Sequence, residues 1–412
     1  MKILVLNCGS SSLKYQVLEM SDTENTLLAK GLVERIGSPN ACHTHKVDGK
    51  DKYQAEKPIA NHTEGIRSVL NILTDPTYGV LKYLSEIEAV GHRVAHGGEY
   101  FFKSVAVDEE VKEKIEKCCL LAPLHNPANL TGIKAMEELM PGVPQVAVFD
   151  TSFHQSMPDY AYMYAIDYSY YEKYKIRRFG FHGTSHKFVA EKACKLAGLD
   201  IEKTKLITCH LGNGSSITAI DGGRSVDTSM GFTPVEGVTM GTRSGNLDVG
   251  VVTFLMDKEG LDAAGINNLV NKESGLQGLS GFSSDCRDLV DAEKSGYKRA
   301  ELALKKLAYD IKKYIGAYAA VLNGVDMIVF TGGIGENSQR VRELVCTGLD
   351  YLGVDFDFEK NEETRGVDAV LTKRRSKVKV MAVTTNEELV IATDTMQIVK
   401  ELQEKAAQEE NN

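Results

Sequence analysis

Two stretches of this chain share a plan in which an apolar segment is interrupted by a short tip of small polar residues and then resumes. The first reads ILVLNCGSSSLKYQVLE, from Ile3 to Glu19, and the second reads LITCHLGNGSSITAIDGG, from Leu206 to Gly223. The apolar residues on either side of each tip predict two β-strands joined as a hairpin. Because each copy opens one half of the chain, we interpret the chain as two copies of one structural plan.

The small residues at both tips indicate anion binding. Consecutive backbone N–H groups in a Gly/Ser tip can converge on a phosphate without interference from side chains, and serine hydroxyls add further donors. An ordinary Gly/Ser turn is the better explanation of a single tip, but two matched tips, each with an asparagine (Asn7 and Asn213), favour the phosphate interpretation. Neither tip is a Walker A loop, because the sequence contains no Gly-x4-Gly-Lys-Ser/Thr.

Strand and helix patterns alternate along the chain, which predicts an α/β fold with mixed sheets. With 412 residues, two domains are expected, covering residues 1–150 and 151–386, with a C-terminal helix at 387–412 that completes the first domain. The predicted strands are 3–6, 15–18, 87–94, 145–149, 206–208, 216–220, 327–331 and 378–383. The predicted helices before the C-terminal one are 63–73, 108–121, 129–140, 185–196, 299–322 and 339–352.

Composition narrows the partners to small molecules and other proteins. A formal net charge of −9 and scattered Lys and Arg residues provide no basic surface for nucleic acid. No stretch reaches the roughly 18 apolar residues that a membrane helix needs, and the first apolar stretch is too short for a signal peptide. We therefore expect a cytoplasmic protein without membrane contact. The eight cysteines lack Cys-x-x-Cys spacing and are expected to be buried, reduced thiols.

The stretch DMIVFTGGIGENSQRVREL places three glycines between an apolar strand and a helix. Gly332, Gly333 and Gly335 would let a nucleotide approach the backbone there. A tight strand-to-helix turn without a ligand remains the alternative. The stretch also lacks the dinucleotide-binding pattern, because Ser338 stands where the last glycine belongs.

Two arginines and an aspartate stand out as candidate site residues. In AVGHRVAHGGEYF, strand alternation puts Arg93 and Ala95 on one face, where a cation beside a small apolar residue could hold a small carboxylate. Arg243 lies in the Gly-flanked loop TMGTRSGN, where an exposed arginine would be unremarkable by itself. Asp150 ends an apolar strand, a usual place for a catalytic carboxylate, although capping of a turn is the alternative.

Ten histidines invite a metal interpretation, but no His-Glu-x-x-His and no Cys/His quartet occurs. His182, in FGFHGTSH, has a polar, Gly-flanked setting that favours ligand contact. His125, in APLHNPAN, is held by a proline-braced loop. A packed, hydrogen-bonded histidine is the alternative for each of them.

Ten motifs together resemble the acetate kinase family, in this order and over nearly the whole chain: NCGSSSLKY, GHRVAHGGE, PLHNP, VFDTSFH, FGFHGTSH, HLGNGSS, MGTRSG, SSDCRD, TGGIGEN and TNEELVIA. The resemblance implies two duplicated ribonuclease-H-like domains of the actin-like ATPase fold, with an active-site cleft between the domains. It also implies reversible, direct in-line phosphoryl transfer from ATP to acetate, giving acetyl phosphate and ADP with Mg²⁺ or Mn²⁺. A homodimer is implied as well.

The resemblance also carries site residues onto matching positions of this chain. It implies catalytic roles for Asp150, His182 and Arg243, and metal binding through Asn7 and Glu387. The implied substrate contacts are Arg93, Ala95, Leu124, His125, Phe181 and Pro234. The implied nucleotide contacts are Lys14, His210, Leu211, Gly212, Asn213, Gly214, Asp285, Cys286, Arg287, Gly333, Ile334, Gly335, Glu336 and Asn337.

One position departs from the family pattern. The family commonly has valine where this chain has Ala95, so the methyl pocket is expected to be larger and propionate becomes the alternative substrate. A sugar or glycerol kinase of the same superfamily would need a base and a polar sugar pocket. A chaperone or filament subunit would need a large partner-binding extension. The two arginines and the apolar pocket residues favour the carboxylate kinase over both.

Overall fold

Strands and helices alternate along the chain in the computed structural model, which describes residues 1–410. The strands are, in chain order, β1 (Lys2–Cys8), β2 (Ser12–Met20), β3 (Asn25–Glu34), β4 (Cys42–Lys46), β5 (Tyr53–Glu56), β6 (Ala89–Val94), β7 (Val105–Ala106), β8 (Gln145–Phe149), β9 (Lys205–Leu211), β10 (Ser215–Asp221), β11 (Arg224–Thr228), β12 (Met327–Thr331), β13 (Ala369–Val370) and β14 (Lys379–Ala382).

The helices lie in the five longest connections between strands, β5–β6, β7–β8, β8–β9, β11–β12 and β12–β13, and after β14. They are, in chain order, α1 (His62–Leu73), α2 (Glu109–Lys117), α3 (Asn126–Leu139), α4 (Asp159–Tyr162), α5 (Ser169–Tyr174), α6 (Gly183–Ala197), α7 (Val249–Glu259), α8 (Ala263–Lys272), α9 (Gly275–Ser280), α10 (Cys286–Lys294), α11 (Lys298–Val321), α12 (Gly332–Asn337), α13 (Gln339–Cys346), α14 (Phe358–Glu363) and α15 (Glu387–Glu410).

The first compact unit comprises Met1–Ser152 and the described chain from Asn386 onward. Its sheet has the strand order β5-β4-β3-β2-β1-β6-β8-β7, in which β1 is antiparallel to β2 and parallel to β6. Alternation along β1 divides the core between the two faces: Leu4 packs in the cluster that contains Ile66 of α1, and Ile3 packs in the cluster that contains Ile391 of α15.

The second unit, Phe153–Thr385, repeats this arrangement. Its strand order is β11-β10-β9-β12-β14-β13, with β9 antiparallel to β10 and parallel to β12. The core is again divided by alternation, with Ile207 in the cluster of α11 and Leu206 in the cluster of α6. Each unit therefore joins an antiparallel three-stranded segment to parallel strands in the same order, and the predicted duplication is confirmed.

Three predicted helices differ from the observed ones by more than two residues at one end. The segment predicted as one helix over 339–352 ends at Cys346, because Gly348 adopts a left-handed φ of 83°. The helix predicted over 108–121 ends at Lys117 and is followed by a 3₁₀ turn at Cys118–Leu120. The helix predicted from residue 129 begins at Asn126, because Pro127 is compatible with the first turn of a helix.

Two features of composition can be compared with the structure. All eight cysteines are free, and seven of them are buried while Cys119 is partly exposed. Among residues 1–410, no helix combines the length and the apolar character that crossing a membrane would require. The C-terminal helix predicted over 387–412 is observed up to Glu410, and its last two predicted residues lie outside the described part of the chain.

Candidate active site

The tip of the first hairpin is a compact turn between β1 and β2. Gly9 N–H donates to the Ser12 carbonyl at 2.8 Å, and the His62 ring donates through Nε2 to the Gly9 carbonyl at 2.6 Å. Strand register places Asn7 opposite Lys14 at the base of the tip. The predicted residues Asn7 and Lys14 therefore lie side by side on neighbouring strands.

Arg93 and Asp150 form a bidentate ion pair in the first unit. Arg93 Nε donates to Asp150 Oδ1 at 3.0 Å and Nη2 donates to Oδ2 at 2.5 Å, while Nη1 donates to Asn7 Oδ1 at 3.2 Å. The Asp150 side chain is only 4% exposed, and its charge raises the pKa of the Arg93 guanidinium. Since a guanidinium has five N–H donors and three are engaged, two remain for another ligand.

Glu387 begins α15 and belongs to the same group. Burial raises the pKa of its carboxyl to about 7, with the Asp150 and Glu388 carboxylates adding to the effect and Arg93 opposing it. In residues 1–410, no cluster of three or more His, Cys, Asp or Glu side chains could hold a metal ion. The oxygens of Asn7, Asp150 and Glu387 are instead a sparse, all-oxygen donor set, which fits a hard cation such as Mg²⁺ that keeps several waters.

Two asparagines that sequence reasoning missed brace this group. Asn129 Oδ1 accepts from Ala95 N–H at 3.0 Å, and its Nδ2 donates to the Cys8 carbonyl at 2.7 Å. Asn126 exchanges two hydrogen bonds with the backbone of His96, at 3.0 and 2.8 Å. Helix α3 thus connects the end of β1 to the chain beyond Arg93. The detectable signal was two amides spaced three apart on an otherwise apolar helix face.

The remaining predicted residues of the first unit lie close to the same elements in sequence. Ala95 is buried directly after β6. His125 is the residue that precedes α3, and Leu124 beside it is 60% exposed. Leu124 is therefore available for contact with a ligand. Ala95 is held in place by the hydrogen bond from its N–H group to Asn129.

The second hairpin tip, between β9 and β10, is tied to itself and to a neighbouring loop. Gly212 N–H donates to the Gly214 carbonyl at 3.1 Å and to Ser215 Oγ at 3.2 Å. The Asn213 carbonyl accepts from Gly241 N–H at 3.0 Å. A β-carbon at Gly241 would lie only 2.0 Å from Asn213 Oδ1, so a larger residue there would displace the Asn213 side chain.

His182 and Arg243 lie beside this second tip. A β-carbon at Gly214 would lie 3.1 Å from Arg243 Nη1 and 3.5 Å from His182 Nε2, so the absence of a side chain leaves the space beside both groups open. The His182 ring stacks on His210 with centroids 4.2 Å apart. The structure thus brings four predicted residues together: His182, His210, Gly214 and Arg243.

Arg243 differs from Arg93 in its partners. Its Nη1 group donates to the Pro234 carbonyl at 3.3 Å and lies 3.8 Å from the Met240 sulfur. Within residues 1–410, no carboxylate forms an ion pair with Arg243, and burial lowers the pKa of its guanidinium. An uncompensated, partly buried cation is well suited to an incoming anion.

The apolar residues predicted for the second unit lie near Arg243. Phe181 packs with Met230 and Met240 in a small buried cluster. Pro234 contacts Arg243 through its carbonyl oxygen, as described above. The cluster and the arginine therefore share Met240.

A cavity of about 1160 Å³ extends from the second tip. Its lining includes eight of the predicted nucleotide contacts: Gly212, Asn213, Asp285, Cys286, Arg287, Gly333, Ile334 and Asn337. It also includes residues that were not predicted, among them Arg340, Glu343 and Arg365. Burial raises the pKa of the Cys286 thiol to about 11, so this lining residue is a neutral thiol at neutral pH.

Other residues predicted to contact the nucleotide are buried or make contacts within the protein. Leu211 is fully buried in the core. The Glu336 carboxylate accepts from the N–H groups of Gly332 and Thr385, both at 3.0 Å, so it joins the ends of β12 and the chain beyond β14. His210 Nδ1 lies 2.8 Å from Ser185 Oγ. A β-carbon at Gly335 would lie 3.2 Å from the Phe330 backbone, which indicates close packing against β12.

The duplicated sheets, each with a Gly/Ser hairpin, place the chain in the class of proteins with the actin-like ATPase fold. The model of the acetokinase family matches residues 2–393. The chain therefore belongs to the acetokinase family, whose members are phosphotransferases that use ATP.

Individual relatives cover the chain almost completely. The acetate kinase of Thermoanaerobacter pseudethanolicus is 58% identical over 403 residues, which are 98% of this chain and 100% of that protein. The crystal structure of Porphyromonas gingivalis acetate kinase is 52% identical, with a TM-score of 0.94 over 97% of this chain and 99% of that one. A propionate kinase structure from Francisella tularensis is 40% identical, with a TM-score of 0.89 over 96% and 99% of the two chains.

Proposed function

We propose that this protein catalyses Mg²⁺-dependent transfer of a phosphoryl group between ATP and acetate, giving acetyl phosphate and ADP in a reversible, direct in-line reaction. The observation that carries this proposal is the partly buried Arg243, without a carboxylate partner in residues 1–410, beside His182 and the open space at Gly214. Two donors directed at one space beside a hairpin tip suit a transferring phosphoryl group.

The nucleotide occupies the cavity of the second unit in this proposal. The second hairpin tip, Gly212 to Gly214, holds the phosphates through its backbone N–H groups. The cavity beyond the tip, lined by Asp285 to Arg287 and by Gly333, Ile334 and Asn337, takes the nucleoside. Its volume of about 1160 Å³ is ample for a nucleotide.

The metal and the carboxylate belong to residues of the first unit. Asn7, Asp150 and Glu387 would hold Mg²⁺ directly or through its waters, and Lys14 contributes positive charge at the first tip. A bound Mg²⁺ would neutralise charge on the phosphate oxygens. Arg93 uses its two remaining N–H donors for the substrate carboxylate, while Asp150 holds the guanidinium in position.

Acetate needs no general base. A carboxylic acid has a pKa of roughly 4 to 5, so the nucleophile is already ionised at neutral pH. Catalysis then consists of alignment and stabilisation of the charge that develops on the equatorial phosphoryl oxygens. By analogy with oxyanion donors, His182 and Arg243 each contribute about 3 kcal/mol to stabilising the transition state. We assign His125 to a further phosphate contact.

We assign contacts with the acyl group of the substrate to Ala95, Leu124, Phe181 and Pro234. Propionate is the second candidate substrate, because Ala95 is smaller than the usual valine and because a propionate kinase is among the similar structures. An additional methylene in such a pocket changes selectivity by about 1 to 3 kcal/mol.

A homodimer and a cytoplasmic location complete the proposal. Helix α7 has no buried residue, and its Val249 and Phe254 side chains are 73% and 59% exposed. We propose that a second copy of the chain covers this apolar surface. Light scattering of Phe254→Glu should then give a monomer, and a wild-type monomer would refute this part. Eight free thiols suit a reducing compartment.

Trapping of acyl phosphate with hydroxylamine tests the activity. We expect hydroxamate from ATP-Mg²⁺ with acetate, less with propionate and least with butyrate, and severe loss in Arg243→Ala. ATP hydrolysis that no carboxylate stimulates would favour a chaperone or filament subunit, and phosphorylation of a sugar would favour a sugar kinase. Either result without hydroxamate would refute the proposal.

A further inference from the structure

A chain of fully buried polar side chains extends from the His182 ring into the core of the second unit. The Ser216 hydroxyl oxygen lies 2.9 Å from His182 Nδ1 and 2.7 Å from His186 Nε2. On the other side of its ring, His186 Nδ1 lies 2.7 Å from Thr208 Oγ1. Ser216, His186 and Thr208 are all inaccessible to solvent. None of these three residues has a role in the activity proposed above.

The fold explains why these groups meet. His182 and His186 are one helical turn apart at the start of α6, so their rings project from the same side. Ser216 and Thr208 come from the antiparallel strands β10 and β9. His182 itself adopts a left-handed backbone conformation, with φ 58° and ψ 22°, which is unusual for a residue with a side chain. Such a conformation is kept where the surroundings fix it.

The Ser216 hydroxyl couples the protonation of the two imidazoles. A hydroxyl carries one hydrogen, so Ser216 can donate to His182 or to His186, but not to both. No other hydrogen-bond partner of Ser216 Oγ is found in the described part of the chain. When Ser216 donates to His182 Nδ1, the proton of neutral His182 must be on Nε2, and His186 must donate from its own Nε2.

The hydrogen bonds at the Thr208 end of this buried group favour donation from Ser216 to His182. Burial lowers the pKa of His186 well below its usual value, so His186 is neutral and donates from only one nitrogen. If the Thr208 hydroxyl donates to His186 Nδ1, then His186 donates to Ser216 and Ser216 donates to His182. Each hydroxyl and each imidazole nitrogen from Thr208 Oγ1 to His182 Nδ1 then has a hydrogen-bond partner, which a buried network requires.

Charged and titratable neighbours of the two rings act in the same sense. Arg243 approaches His182 beside Gly214, and its positive charge disfavours a second proton on that ring. His210 stacks on His182, and the His154 ring lies 5.8 Å from the His186 ring. His154 and His210 add to the effect of burial in lowering the pKa of His186.

We propose that Thr208, His186 and Ser216 form a positioning relay that keeps His182 in the tautomer with its proton on Nε2. The inference rests on the proposed function in one respect: the Nε2–H group is taken to donate to the transferring phosphoryl group. The relay residues are positioning residues, because they act on the substrate only through His182.

Nitrogen NMR of the ¹⁵N-histidine-labelled, full-length protein tests the tautomer without any assay of activity. We expect His182 Nδ1 to resonate in the unprotonated range and Nε2 in the protonated range at neutral pH. In Ser216→Ala, this preference should be lost. In Thr218→Val, a buried hydroxyl deletion on the same strand β10, the His182 resonances should match wild type, because Thr218 pairs with Thr228 instead. A wild-type His182 with its proton on Nδ1 alone would overturn the proposal.

Kinetics separate positioning from folding. We expect Ser216→Ala to lower kcat by roughly 10- to 100-fold with little change in KM for ATP or acetate. Thr208→Val should lower kcat less, and Thr218→Val should leave it unchanged. Wild-type kcat together with wild-type His182 resonances in Ser216→Ala would refute the relay. If wild type forms no acyl phosphate, the proposed activity fails while the NMR result still decides the tautomer.

Discussion

The two units share one order of sheet strands, but the candidate site arginine of each unit has different partners. Arg93 lies on β6 of the first unit and forms a bidentate ion pair with the buried Asp150. Arg243 lies in a loop of the second unit and, within residues 1–410, has no carboxylate partner. A paired arginine contributes to the folded structure and to orientation. An unpaired, desolvated arginine is ready to stabilise an anion, so duplication of the fold did not duplicate the electrostatics.

The neighbours of the two arginines extend this contrast. Carboxylates and an amide surround Arg93, through Asp150, Glu387 and Asn7. Imidazoles and small residues surround the space next to Arg243, through His182 and Gly214. The first set suits a metal ion and the second suits a phosphoryl group. Substitutions that affect the two sets differently can therefore test the comparison.

Removal of Arg93 should have the largest effect on stability. Arg93→Ala leaves the buried Asp150 carboxylate without its partner, so we expect the free energy of unfolding to fall by about 3 to 5 kcal/mol. Arg243→Ala, which breaks no ion pair, should cost much less. Urea unfolding of both variants measures the difference. Equal losses in the two variants would contradict the comparison, and Arg93→Met combined with Asp150→Leu should recover much of the loss.

Removal of Arg243 should have the largest effect on turnover. Arg243→Ala is expected to lower kcat by about 10² to 10³-fold, because the variant lacks the donor that we propose for the phosphoryl oxygens. Arg243→Lys should recover only part, since an ammonium lacks the planar geometry of a guanidinium. Arg224→Ala, at an exposed position on β11, is the matched control and should behave like wild type. A wild-type kcat in Arg243→Ala would remove the basis of the proposed mechanism.

Substitution of Ala95, two residues beyond Arg93, tests whether this position controls selectivity between acetate and propionate. We expect Ala95→Val to shift the ratio of kcat/KM for acetate over propionate by about 1 to 3 kcal/mol in favour of acetate. The measurement is kcat/KM for both acids in both proteins. Ala95→Gly is the matched control and should shift the ratio the other way. The same ratio in wild type and in Ala95→Val would exclude a role for this position in selectivity.

The sequence predicted what depends on short-range pattern. The hairpin at Asn7 and the one at Asn213 were recognisable because apolar alternation and small residues are adjacent in the chain. The end of α13 was predicted wrongly, since helical periodicity continues through Gly348 while its backbone does not. Strands β3 to β5 were missed, because polar side chains conceal the buried positions; in CHTHK of β4, the buried residues include His43 and His45.

Contacts between residues far apart in the chain could not be predicted from the sequence. Asn129 bonds to the Cys8 carbonyl 121 residues away, and no local pattern indicates that partner. His186 could be recognised as polar in an apolar setting, but its hydrogen bond to Ser216 exists only once β10 packs beside α6. Arg93 and Asp150 were each predicted as site residues, yet the ion pair between them follows from the parallel pairing of β6 and β8.

The buried histidines extend the comparison to acid pH, where the expected effect is small for each pH unit. In the first unit, burial lowers the pKa of His92 to about 4, although its Nε2–H donates to Gln145 Oε1 at 2.6 Å. The unfolded chain therefore binds a proton that the folded chain does not, between the ordinary histidine pKa of 6.5 and about 4. Stability should fall across this window as the pH falls, by about 1.4 kcal/mol per pH unit for this residue.

His92→Gln should flatten this part of the stability curve, measured by urea unfolding between pH 4 and 7.5. In the second unit, His154 has a pKa lowered to about 4 by burial and should contribute a similar slope that His92→Gln leaves in place. Stability above pH 7 should be unaffected by either proton, because both histidines are neutral in the folded and unfolded chains there. A curve of unchanged slope in His92→Gln would mean that this histidine binds its proton equally well in the folded protein, and that the acid response comes from other buried histidines, such as His43 of the first unit and His154 of the second.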